Sequence, residues 1–260
     1  EVLARPIDLG PRPEDTVHTF IASDSSRTMG RAVVAARADT GQIFRLGTGD
    51  FELNGAPIET GQAVLALASS DAAERVAAAR EDGTVALFDL VSGEPAGVLP
   101  APSAPPDLPF VADEGADNGY GAGGATIDAG DAIAVAFSPS GSQLAVERVD
   151  GSVESWNVAS STLGWQVDAP AAPVHAPGYG SLAFRPDGRQ LVAWAPAAPD
   201  DGALVAIDAG SGSVDWRQQA NTPDGCGCGV SARHAEMAYT PDSSALYVAG
   251  GDEVVLARSP

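Results

Sequence analysis

The chain has 260 residues with 44% hydrophobic content, enough for one sizeable core, while 14 basic residues against 35 acidic ones leave a net charge of −21. A surface this acidic repels phosphate backbones and anionic lipid headgroups, which argues against nucleic acid and favours cationic partners, metal ions or a saline exterior. No run of roughly 18 consecutive apolar residues offers a spanning helix, so no direct membrane insertion is expected, and Cys226 and Cys228 are too few for a disulfide framework.

In chain order, Val2 to Leu9 is a lone strand-like run, followed by a first β-rich segment at Thr16 to Ile21. From there the chain repeats itself with a period of about 40–50 residues, the signature of stacked β units. Each unit opens with a short strand, and those strands end in line at Phe20, Leu67, Phe137, Phe184 and Tyr239. Three continue as aromatic-x-Pro into a tight turn: Phe137-Ser-Pro139-Ser-Gly141, Phe184-Arg-Pro186-Asp-Gly188 and Tyr239-Thr-Pro241-Asp-Ser243. Proline presets the turn, and glycine allows the left-handed dihedral that closes it.

A second set of turns aligns as Asp39-Thr40-Gly41, Glu81-Asp82-Gly83, Val149-Asp150-Gly151, Asp200-Asp201-Gly202 and Gly251-Asp252-Glu253, each followed by a β-rich run. Asp82, Gly83, Asp150, Gly151, Asp201 and Gly202 are therefore expected as structural turn residues. Within Ala132 to Phe137, period-2 alternation places Ile133, Val135 and Phe137 on one face and Ala132, Ala134 and Ala136 on the other. Ala101 to Gly130 interrupts the period. It begins rich in proline and ends rich in glycine and aspartate, as an inserted surface loop does.

The unit Ile133 to Val158, with its Ser-Pro-Ser-Gly turn, its Asp150-Gly151 turn and its terminal Trp156-Asn157, resembles a repeat of the WD-repeat family, and YVTN-type repeats are similar to it at this level. The resemblance implies an all-β fold, a β-propeller of four-stranded antiparallel blades, with residues 1–260 forming a single domain. Five turns imply five blades, closed by Val2 to Leu9 as the last strand of the last blade; the same spacing also fits an excised part of a six- or seven-bladed ring. The Gly-His pair of the family is missing throughout, so its buried His-Ser-Trp-Asp network is not carried over. The resemblance further implies a non-catalytic recognition or scaffold subunit that binds protein partners.

The three histidines, His18, His175 and His234, fall in connectors between units or early in first strands, as do Asp131, Cys226 and Cys228. In a propeller these would gather on one face, around the channel mouth. Cys226, Cys228 and His234 offer thiolate and imidazole ligands for zinc or copper, although polar residues collect in connectors for ordinary reasons and Cys-x-Cys is not the usual zinc spacing. His18, Asp131, His175 and His234 form the corresponding ligand-binding set, which also keeps open a metal- or ligand-sensing propeller and a lyase or hydrolase with a histidine at the mouth. No nucleophile elbow, no phosphate loop and no lysine is present. No cofactor is expected beyond a possible metal ion. Asp113, Glu114, Asp117 and Asn118 lack the regular calcium-loop spacing and read as a solvated loop. The start at Glu1 and the acidic, lysine-free composition lean toward a processed, extracytoplasmic protein, a piece of a longer chain being the other reading.

Overall fold

A computed structural model describes residues 19–22, 32–37, 40–47, 55–102, 130–167, 181–196, 202–220, 235–250 and 253–258. Among these residues the regular structure is entirely β. The first sheet holds β1 (Thr19–Ala22), β2 (Ala32–Arg37), β3 (Gln42–Gly47) and β4 (Ile58–Glu59). The second holds β5 (Val64–Ser70), β6 (Arg75–Arg80), β7 (Val85–Asp89) and β8 (Pro95–Leu99), and the third β9 (Ala132–Phe137), β10 (Gln143–Arg148), β11 (Val153–Asn157) and β12 (Thr162–Val167). The fourth is β13 (Ser181–Phe184), β14 (Gln190–Pro196), β15 (Gly202–Asp208) and β16 (Val214–Ala220). The fifth comprises β17 (Ala235–Tyr239), β18 (Ala245–Gly250) and β19 (Glu253–Arg258), with three strands among the described residues. In every sheet the strands lie side by side in chain order, an antiparallel meander.

The turns repeat one chemistry. At the end of the third strand, Oδ1 of Asp89 accepts from the N–H and hydroxyl of Ser92, Asn157 does the same with Ser160, and Asp208 with Ser211. A short carboxylate or amide side chain bonded to the backbone two or three residues on replaces the ladder where the strand ends. These turns are tied back to the hairpin before them: the N–H groups of Leu90, Val158 and Ala209 donate to the carbonyls of Glu74, Ser142 and Arg189. At the first hairpin of the third and fourth sheets, Gly141 and Gly188 hold φ of +71° and +73°, whereas Glu74 and Ser243 occupy the equivalent place in the second and fifth at +51° and +63°.

Consecutive sheets lie face to face through their first strands: β5 packs against β9, β9 against β13, and β13 against β17, while β1 and β2 meet β5. Each interface has its own apolar cluster. Val34, Ile43, Val76 and Phe88 lie between sheets one and two, and Leu87, Leu99, Leu144, Val146 and Trp156 between two and three. Ala145, Val153, Leu191 and Ile207 fill the next gap, and Trp194, Leu204, Leu246 and Val248 the last. Full burial of each such Val, Leu, Ile or Phe side chain contributes about 1.5–3 kcal/mol. The core is thus a row of interlayers, and both faces of an interior sheet are buried.

Two sequence expectations are corrected. The register between β9 and β10 steps from Ala134 opposite Glu147 to Ala132 opposite Arg148, so Ile133 is an extra residue. This bulge turns Ala132 onto the face of Val135 and Phe137, in the same cluster, instead of the face of Ala134. The same step occurs in β5, between Val64 and Ala66. Gly202 is not a turn residue but the first residue of β15, paired with Pro196 and Ala220. Val2 to Leu9 and residues 103–129 of the expected insertion lie outside the described residues.

Candidate functional site

Of the residues singled out in the sequence, His18, His175, Asp201, Cys226, Cys228 and His234 lie outside the described residues, as do Asp113, Glu114, Asp117 and Asn118. Among the described residues no group of three His, Cys, Asp or Glu side chains is placed to hold a metal ion. Of those that are described, Gly202 opens β15 in the fourth sheet, while Asp82, Gly83, Asp131, Asp150 and Gly151 belong to the turns and connector of the second and third sheets.

Asp82 and Asp150 each close their own turn, Oδ1 accepting from the N–H of Thr84 and of Ser152. Burial pushes the Asp82 carboxyl up, but bonds from Thr84 and Gln62 and the charge of Arg80 outweigh it and hold the group below the usual aspartate value. Asp131 is 3% exposed, and its carbonyl accepts from the N–H of Val149 at 2.9 Å. Gly83, at φ +75°, needs both its dihedral freedom and its missing side chain: a Cβ there would stand 3.2 Å from the Gly130 carbonyl and 3.6 Å from Asp131 Oδ1.

The residue that draws these segments together is Arg148, which is 0% exposed. Its Nε donates to Glu154 Oε1 at 3.0 Å and its Nη2 to Oε2 at 2.8 Å, a two-point fork. Nη1 donates to the Gly83 carbonyl at 2.7 Å and to that of Gly130 at 2.9 Å, and Nη2 reaches Pro100 O at 3.4 Å. Trp156 Nε1 adds a bond to Glu154 Oε2 at 2.8 Å. All five guanidinium donors are thereby used, and both carboxylate oxygens are occupied. With its donors engaged, the guanidinium has none left for a further anion. It clamps the turn of the second sheet, the end of its last strand and the segment leading into β9 onto the third sheet.

One position earlier, Glu147 points to the opposite face of β10, toward the fourth sheet. It is 1% exposed; burial pushes its carboxyl well above the usual glutamate value, and a bond from the Ser181 N–H offsets this only in part. Oε2 has no partner among the described residues. Arg148 cannot serve it, because period-2 geometry sends the two side chains to opposite faces.

The sequence reading passed over Arg148, Glu154 and Glu147. A signal was present: Leu144, Val146 and Arg148 share one face, as do Glu154 and Trp156 across the hairpin. A charge at the end of an otherwise apolar face needs a buried partner, and each supplies the other's.

No protein-family model and no curated protein sequence matches the chain. Among solved structures, the computationally designed Ika8 protein superposes with a TM-score of 0.56 at 15% sequence identity, over 88% of this chain and 56% of the designed one. This chain thus spans little more than half the length of that structure. At such identity the likeness speaks for the all-β fold alone.

Proposed function

We propose that the chain is a WD-repeat-like β-propeller that acts as a non-catalytic recognition or scaffold unit for protein partners. Five consecutive antiparallel meanders among the described residues, laid face to face, support the architecture.

One observation carries the functional reading. Among the described residues, Arg148 and Glu154 between the second and third sheets are bonded to each other, to backbone carbonyls and to Trp156 Nε1, so this buried charge serves the packing of the sheets. Such a unit works by its surface. The test is native mass spectrometry of the protein isolated from its own source. A stable complex with another polypeptide is expected; a lone chain that carries a metal or turns over a substrate would overturn the reading.

A further inference from the structure

A cleft of about 410 Å³ opens between the first two sheets, lined by Arg45 together with Pro57, Ile58, Phe88, Val91 and Pro95. Arg45 projects from β3 and is 6% exposed. Its Nη1 donates to the carbonyls of Val91 and Leu90, and its Nη2 to that of Ala56 at 3.2 Å. The glycines beside it keep the space narrow, since a Cβ at Gly55 would lie 2.9 Å from Nη2 and one at Gly93 3.2 Å from Cζ.

Among the described residues Arg45 has no anion to pair with, and its Nε is buried with no acceptor. Among the described residues the unused donors are the Nε–H and one Nη2–H, the pair from which a guanidinium makes a side-on fork to a carboxylate. Arg148 displays that fork in the same molecule, with Glu154 in the place that is unfilled at Arg45. Burying a guanidinium without a counter-charge is expensive, so an anion entering the cleft is stabilised by relieving that penalty.

We infer that the Arg45 cleft binds a monocarboxylate that carries an apolar group. A single cation, with Glu59 also on the wall and a net charge of −21 around it, matches one negative charge better than the two of a phosphate monoester. Ile58, Phe88 and Val91 receive the apolar part, Val91 being 62% exposed at the rim. This inference does not depend on the propeller reading.

The test uses the full chain with 3-phenylpropionate as probe and 3-phenylpropanamide, its neutral isostere, as control, followed by calorimetry and ligand-observed NMR. The acid should bind saturably with a millimolar dissociation constant, and the amide at least about tenfold more weakly. Arg45→Lys keeps the charge but loses the fork and should weaken the acid similarly. Because Arg45 also anchors the Val91 turn, a second variant leaves its bonds intact: Val91→Glu places a like charge at the rim and should abolish binding without shifting the unfolding midpoint. Equal binding of acid and amide would reduce the cleft to an apolar surface and overturn the proposal. So would binding that survives Val91→Glu. Absence of saturation at about 10 mM acid would also overturn it, the fork then being filled from within the chain.

Discussion

Removing the guanidinium at position 148 should be among the most destabilising single changes available to this protein. In Arg148→Met, Glu154 keeps only the Trp156 N–H while its side chain stays 6% exposed, and the carbonyls of Gly83 and Gly130 lose donors at 2.7 and 2.9 Å. Breaking one partner out of a buried pair costs about 3–5 kcal/mol. Each stranded carbonyl adds up to about 1–3 kcal/mol unless water reaches it, which places the expected loss toward the top of that range. A whole domain of this size has only about 5–15 kcal/mol in hand. Urea unfolding followed by tryptophan fluorescence measures it, Trp156 reporting from inside the network. Arg148→Met combined with Glu154→Leu removes the uncompensated carboxylate and should recover about 1–3 kcal/mol of the loss, the ordinary coupling of groups in one network. A loss below about 1 kcal/mol in the single variant, or strict additivity in the pair, would refute the clamp, since a surface ion pair behaves that way.

Three further outcomes follow from individual residues. Because the folded value of Glu147 lies above the ordinary 4.5, protonation favours the folded state: stability is fully present below that pH and declines as pH rises toward the raised folded value. The slope is at most about 1.4 kcal/mol per pH unit, and Glu147→Gln should flatten it, as denaturant midpoints measured across pH will show. Ser243 holds φ +63° where the third and fourth sheets have Gly141 and Gly188, so Ser243→Gly should raise stability by about 0.5–1 kcal/mol in thermal unfolding. A Cβ at Gly141 would sit 2.4 Å from the Ala73 nitrogen of the neighbouring sheet, so Gly141→Ala should destabilise by about 1–3 kcal/mol in urea titration.

Much of the β architecture was legible before any coordinates, and for local reasons. Phe137-Ser-Pro139, the Asp150-Gly151 turn and the runs between them follow period-2 patterning and turn chemistry that act over a few residues, so strand order and hairpin positions could be read in sequence. The likeness of one unit to the next gave the number of sheets, because each unit must bury its two faces against copies of itself. The bulge at Ile133 was not legible. An extra residue leaves no mark in composition, and only pairing with Glu147 and Arg148 reveals that Ala132 has changed face.

The site shows the same division. Asp131 and the Asp-Gly turns were visible as polar punctuation, but their meaning came from Arg148, whose five acceptors lie at Glu154, Gly83, Pro100 and Gly130, up to 65 residues away. Arg45 and Arg148 are indistinguishable as letters in a strand. One is closed by a carboxylate from the neighbouring strand of its own sheet; the other reaches carbonyls in two turns and keeps a donor unpaired. Sequence determined which segments become strands and where they reverse, because those choices are made by neighbouring residues. Tertiary structure decided which charges are satisfied, because hydrogen bonds and desolvation depend on distances that the chain sets only once the sheets have stacked.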